Sequence, residues 1–327
     1  MTEREAERPG LEERSVPVAP RRRLRSLATW VLPYVLAGLV IWFLTTRYSI
    51  SAIRAEMRKG NSGPLVPLAL VTYVVSLAFV SWADTTVLRG LLGKAAAPGY
   101  FVMAKGKAAS VVLHIVHYAL GQGVYATWLA RRTGLSLGRA GGLLLYVVAA
   151  ELGSVCLYAT LVILVGRPDV PGAVLPTAAT IAIALAAFLL VVPSTRLERV
   201  GFLHAWAKVG RRRGVAQLGI RLLQHATTTG STWLAATWFG LEIPLGVMLS
   251  YMPVILVVAS LPINVAGFGA VQGAWLLLSP WAPPERILAF SVVWQAVSGL
   301  ALIVRGAPFL RSVLGDIRRG GTPLTPS

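Results

Sequence analysis

The sequence is poor in cysteine, in histidine and in acidic residues, and each shortage removes a class of answers. One cysteine among 327 residues, Cys156, can form no intrachain disulfide, so a fold stapled by disulfides is excluded. Only 4 histidines are present. His114 and His117 share a helical face, but no cysteine or nearby carboxylate completes a metal site, and no metal or other cofactor is expected. Asp and Glu number 13, and nowhere do a nucleophile, a base and an orienting acid fall at a spacing that suggests catalysis. An enzyme is not expected.

What the chain has in abundance is apolar length. Hydrophobic residues make up 55% and charged residues only 13%, and several apolar runs approach the roughly 20 residues that a helix needs to cross a bilayer. A net charge of +18 would suggest nucleic acid in a soluble protein. Here the basic residues lie between apolar runs, where they orient the chain and meet anionic headgroups, so membrane lipid rather than nucleic acid is the expected partner. The stretch RRRLRSLATWVLPYVLAGLVIWFLTT has the basic-then-apolar order of a secretory signal. Its apolar part is long and TTRYS offers no small-residue cleavage site, so it reads as a retained anchor.

Six segments are smooth enough to span: 28–46, 64–88, 141–165, 174–193, 218–240 and 287–305. Two stretches are ragged. Residues 100–130 contain Lys105, Lys107, His114, His117, Gly121, Gln122 and Gly123, and residues 245–280 contain LPINVAGFGAVQGAW. If both ragged stretches cross the membrane, the 31 basic residues divide about equally between its sides; if both enter and leave by one face, most fall on the inner side. The positive-inside bias favours two re-entrant hairpins. Broken backbone is tolerated at membrane depth only where protein or a water-filled cavity satisfies it, so Pro262 and the glycines around it should face something polar.

The expected fold is therefore all-α, an integral membrane protein of about six transmembrane helices and two re-entrant broken-helix hairpins. Each half reads as span, span, hairpin, span, and each hairpin holds a G-x-G, Gly121-Gln122-Gly123 and Gly267-Phe268-Gly269. Odd numbers of spans per half make these inverted repeats, as in alternating-access carriers. The domain reading is a disordered cytoplasmic tail over 1–26, a membrane domain over 27–310 with repeats at about 28–165 and 174–305, and a cytoplasmic tail over 311–327. Both termini are expected inside a cell membrane.

LPINVAGFGAVQGA resembles a pattern, roughly L-P-x-x-x-G-G-x-G-x-R-E-G-A, of the transmembrane region of lysylphosphatidylglycerol synthases and their stand-alone, flippase-like relatives. YATWLARRTGLSLGRAGGLLL is similar to an earlier segment of the same family. The resemblance implies a lipid-handling membrane domain that in some members translocates an aminoacylated phospholipid. The family's Arg-Glu pair falls on Val271 and Gln272, and an acidic position falls on Val124. Few residues follow Arg305, so synthesis of lysyl-lipid by this chain alone is not expected.

An ionisable group in hydrocarbon costs roughly 2.5–3.5 kcal/mol on insertion scales, so one that persists faces a cavity or a partner. Glu151, deep within its span, is the leading candidate to line a lipid path, or else it partners a polar side chain in the bundle. Asp84 and Arg89 read as an interfacial pair. Arg221, Gln224 and His225 share helical faces and suit either a phosphate contact or interfacial snorkelling. Gly121, Gln122, Gly123, Asn264, Gly267, Gly269 and Gln272 are the candidate substrate contacts of the two hairpins. Residues 49–60 place Ile50, Ile53 and Met57 on one face of a helix expected on the outer surface, and 196–213 combine Val200, Leu203 and Trp206 with Arg211-Arg212-Arg213 at the inner surface. The function expected is binding of a lipid or lipid-linked substrate and its movement between leaflets. The alternative is a non-transporting accessory subunit that docks a membrane-bound synthase.

The topology is tested by cysteines at Ser136 and Ser194 in a chain whose Cys156 is replaced by alanine. Both should resist an impermeant thiol reagent on intact cells and react after permeabilisation. Labelling of either from outside would overturn the re-entrant arrangement.

Overall fold

In a computed structural model of the chain, residues 20–164, 203–260, 264 and 268–319 are described. The expected span 174–193, together with Val200, Pro262 and Gly267, lies outside them. All extended elements among the described residues are helices: α1 (Pro20–Arg47), α2 (Ile50–Lys59), α3 (Leu65–Leu92), α4 (Tyr100–Val116), α5 (Tyr118–Thr133), α6 (Leu137–Leu164), α7 (His204–Lys208), α8 (Arg211–Phe239), α9 (Leu245–Ser260), α10 (Ala270–Trp275) and α11 (Pro284–Arg318).

Three of these, over Leu65–Leu92, Leu137–Val162 and Pro284–Arg318, are long and apolar enough to cross a membrane. Tyr34–Arg47 and Ile50–Lys59 pass the same test as a pair bent by 89°. Ser49 makes the bend, its hydroxyl accepting from the Ala52 amide at the start of α2. On α2, Ile53 and Met57 pack on the apolar core while Ile50 remains exposed. Glu56 of α2 also holds Arg286 of α11 at 3.7 Å.

Helix α8 has the length of a span, 29 residues, but not the apolar composition. Its buried face carries Gln217, Arg221, Gln224, His225, Thr229 and Thr232, and it packs along α3. The two run antiparallel: Gly60, just before α3, meets the Phe239 ring, Asp84 meets Arg221, and Gly90 meets Val209 and Arg213. Its polar residues are turned inward, where other helices can partner them, while Val215, Leu223 and Trp238 are exposed. Around this pair, α11 packs on α3 and α4, and α6 packs on α8 and α9.

The apolar core has two parts. One gathers Leu65, Phe239, Met248, Trp275 and Phe290 at one end of the α3–α8 pair, and the other gathers Leu88, Met103, Trp128, Trp206 and Leu218 at the other. Between them, α3 buries Ser81, Asp84 and Thr85 opposite the polar face of α8.

Helices α4 and α5 form an antiparallel hairpin. Gly106 lies against the Trp128 ring and Gly121 against the His114 ring, so the two legs approach closely along their length. The break is at His117, whose extended backbone (φ −159°, ψ 127°) ends α4 and starts α5. The His117 ring accepts from the Ala119 amide, replacing a bond the helix loses there. Gly121 and Gly123 are helical, because nothing in their neighbourhood requires a turn once His117 has made it.

Two boundaries also differ from expectation. Helix α1 already begins at Pro20, since proline suits the first position of a helix. Helix α11 runs 35 residues to Arg318, past the position where a tail was expected, because Asp316 binds Trp128 and Arg132 of α5. The short α7 is likewise no surface element: Trp206 is buried edge-on against Tyr146 of α6, 5.2 Å between ring centroids. Arg211, Arg212 and Arg213 stay exposed.

Helix α11 approaches α4 so closely at Gly306 that an added Cβ would collide with the Ala108 carbonyl oxygen. Backbone cannot yield as a side chain can. Gly306→Val should therefore destabilise the detergent-solubilised protein by about 1–3 kcal/mol, read as a lower melting temperature. Gly299→Ala, with open space around its position, should be neutral or slightly stabilising. Equal melting temperatures for the two variants would contradict the close α4–α11 contact.

Candidate functional site

The polar layer between the two cores is an ion cluster built from α3, α4, α6 and α8. Arg221 of α8 is its centre, 1% exposed. One guanidinium nitrogen, Nη2, donates to Asp84 Oδ1 at 3.1 Å. The other, Nη1, lies 3.4 Å from Glu151 Oε2 and donates to Gln224 Oε1 at 3.2 Å. Asp84, 3% exposed, is further held by Lys107 Nζ at 3.4 Å and by the Tyr125 hydroxyl, which donates to Oδ2 at 3.2 Å. The Lys107 ammonium sits 4.9 Å from the centroid of the Tyr125 ring.

Two carboxylates face two cations, so the cluster is neutral as a set and each charge has a partner. That balance makes the layer tolerable inside a membrane bundle. It is not closed on all sides. Asp84 and Arg221 are sealed, whereas 38% of the Glu151 side chain is accessible. One turn along α6, Ser154 and His225 Nε2 are 2.9 Å apart, and the Ser154 hydroxyl also lies 2.7 Å from the Glu151 carbonyl oxygen, to which it can donate.

Of the residues singled out in the sequence, Glu151, Arg221 and His225 come together here, with Gln224. Arg221 is neither a snorkelling side chain nor free for phosphate, because both of its ends are occupied by protein. Asp84 does not pair with Arg89, which is exposed; its partners are distant in sequence. Lys107 was read only as part of a ragged stretch. Its one legible signal was a cation within an apolar run.

The first hairpin's polar residues stand beside this cluster. His114 stacks on Tyr118 at 5.2 Å, Gly121 lies under His114, and the Gln122 amide donates to the Tyr118 hydroxyl at 2.9 Å. Gly123 is exposed. At the hairpin tip, the Tyr34 hydroxyl of α1 donates to the Val116 carbonyl at 2.8 Å.

In the second hairpin the side chains staple the break itself. The Asn264 amide donates to the Val258 carbonyl at 2.6 Å, and its oxygen accepts from the Val271 amide at 3.1 Å, bridging the end of α9 to the start of α10. Gln272 Oε1 accepts from the Gly269 amide at 2.7 Å. Gly269 has φ 124°, a backbone that side chains rarely adopt. Gln272 Nε2 is buried with no hydrogen-bond partner.

A cavity of about 480 Å³ lies at the start of α8, lined by Val209, Gly210, Arg211, Arg212, Arg213 and Ala216. Its three arginines are exposed.

The family of the lysylphosphatidylglycerol synthase transmembrane region matches residues 30–306. The chain belongs to that family. The match takes in the ion cluster and everything described of both hairpins, and it ends within α11. A comparison with curated proteins found no match.

Arg221→Met leaves Asp84 with Lys107 and Tyr125 alone and Glu151 without its cation, so it should cost about 3–5 kcal/mol, as removing one partner of a buried pair does. Arg89→Ala should change stability by less than about 0.5 kcal/mol, as surface substitutions do. Chemical unfolding in detergent checks both, and a mild Arg221→Met would mean the cluster is hydrated rather than sealed.

Proposed function

We propose that this family member binds a lipid or lipid-linked substrate within the membrane and moves it between leaflets by alternating access. The observation that carries the reading is the asymmetry of the ion cluster. Sealed Asp84–Arg221 fixes the bundle, while half-exposed Glu151 on the same guanidinium presents a charge to something outside the protein core. Intramembrane ionisable groups of this kind mark substrate and ion pathways.

The packing suits a carrier built from inverted repeats. Helix α3 corresponds to α8, the α4–α5 hairpin to α9–α10, and α6 to α11, with nearly the same sequence interval between members of each pair. A twofold axis in the membrane plane would exchange the contacts of α11 with α3 and α4 for those of α6 with α8 and α9, and all four contacts are present. The hairpins are read as re-entrant, the first from the cytoplasm and the second from outside. Contact of the first tip with Tyr34, midway along α1, supports this, since a crossing segment would reach the end of that helix.

In this reading the site residues are Glu151, Arg221 and His225 with Gln122, Asn264 and Gln272, and the glycines 121, 123, 267 and 269 shape the hairpins. The membrane is the cell membrane with both termini inside, and no chemical conversion of the substrate is included. Anionic phospholipid is held by the arginines at the start of α8.

Headgroup exposure of a labelled phospholipid in reconstituted vesicles tests the reading. Wild-type protein should accelerate exchange between leaflets, and Glu151→Gln should lose at least about tenfold of that rate, equivalent to about 1.4 kcal/mol of one polar interaction, while remaining monodisperse. Wild-type rates in a well-folded Glu151→Gln protein would remove the cluster from the path. Failure of the wild-type protein itself would favour the accessory role, docking a lipid- or glycan-modifying enzyme through the exposed apolar face of α1, where Trp42 and Phe43 stand out.

A further inference from the structure

The polar face of α8 holds more than the ion cluster needs. Gln217, one turn before Arg221, is wholly buried, and neither its amide oxygen nor its nitrogen has a hydrogen-bond partner. On α3, about one turn from Asp84, the Ser81 hydroxyl is buried and unpartnered, and Arg221 Nε is too. These groups flank the same point of the antiparallel α3–α8 pair. A buried amide without partners is costly, and buried polar groups in folded proteins are satisfied by protein or by ordered water. Several such groups in a row along one seam point to a chain of water molecules.

The basic cavity lies near one end of the seam. Ala216, next to Gln217, lines the basic cavity at the start of α8. From there the order along α8 is Gln217, Arg221 with Asp84, then Gln224 and His225, with His225 on Ser154 and Glu151 beside Arg221.

We propose that this seam is a hydrated proton path from the cytoplasmic end of α8 to the Glu151 carboxylate, and that proton binding at Glu151 drives the conformational cycle. It rests on the lipid-carrier reading for what is driven, but not for the path itself. A proton passes from water at the cavity, over Gln217 and bound water, to Glu151. The carboxylate becomes neutral and loses its hold on Arg221, which stays paired with Asp84. Release of the proton to the other side restores the ion pair, so no other reactant is needed.

Titratable and charged groups from several helices surround Glu151. Helix α8 contributes Arg221 and His225, and α4 contributes Lys107 and His114. Asp84 of α3 shares Arg221. Helix α5 brings Tyr118, and Tyr125 through Asp84. Of the other elements packed on α6, α7 carries His204 and Lys208, and α9 has no charged side chain.

Two measurements test the path. Infrared titration of the detergent-purified protein should reveal a protonated-carboxyl band that grows as pH falls and is missing in Glu151→Gln. Transfer to D2O should shift that band quickly in wild type and at least about tenfold more slowly in Gln217→Leu, which removes one water-binding amide from the chain. In vesicles with an imposed pH gradient, lipid exchange by the wild-type protein should speed up severalfold and exchange by Glu151→Gln should not respond. An unchanged band in Glu151→Gln, or equal exchange with D2O in Gln217→Leu, overturns the path. Lipid movement indifferent to the gradient overturns the coupling while leaving the carrier reading intact; a titrating Glu151 in a protein that moves no lipid does the reverse.

Discussion

The bundle is organised around one guanidinium. Arg221 cannot leave the protein interior for water, nor can it stand unpaired there, so the helices that carry its partners must meet at its level. Asp84 brings α3, Glu151 brings α6, and Lys107 brings α4 through Asp84. Apolar packing in a membrane is not driven by the hydrophobic effect, because lipid tails are as apolar as leucine, and it discriminates poorly between registers of two helices. A buried charge that must find its counter-ion discriminates well. Sliding α8 by one residue along α3 would turn Arg221 away from Asp84 and leave both unmatched. The polar layer thus sets the register that the two apolar cores then fill.

The composition and the spacing of apolar runs carried the membrane class, and the motif near residue 262 carried the family, which residues 30–306 match. Glu151, Arg221 and His225 could be picked out because a polar residue within an apolar run is conspicuous by itself. Their partnership could not. Asp84 looked towards Arg89 because five residues separate them, while its real partners lie on other helices. Lys107 was assigned to topology because a lysine in a ragged stretch resembles a loop charge. The G-x-G of the first hairpin is not its break: glycine permits a turn but does not demand one. In α5, Gly121 serves the approach of the His114 ring, and His117 makes the break.

The two hairpins solve the same problem with different chemistry. Interrupting a helix in a membrane exposes amides and carbonyls that need partners. At the first break the His117 ring takes one amide, and Tyr34 of α1 donates to the Val116 carbonyl. Between α9 and α10, Asn264 binds the Val258 carbonyl before it and the Val271 amide after it, while Gln272 takes the Gly269 amide. The first hairpin is therefore tied to a neighbouring helix, and among these bonds the second is tied to itself. A hairpin stapled internally can shift as a unit without losing its backbone partners.

The same contrast bears on which parts of the bundle can move. Along α11, Gly306 seats against Ala108, the Arg305 guanidinium donates to the Tyr73 carbonyl, and Asp316 holds Trp128 and Arg132. Helices α3, α4, α5 and α11 are thereby joined by contacts that include backbone atoms and an ion pair. Glu151, by contrast, joins α6 to α8 through a 3.4 Å approach to Arg221, beside the Ser154–His225 hydrogen bond between the same two helices. A carrier needs a rigid part and a part whose attachment can be switched by the group it binds. In this bundle the attachment made by an accessible carboxylate is the Glu151–Arg221 contact, whereas the Asp84–Arg221 pair is sealed.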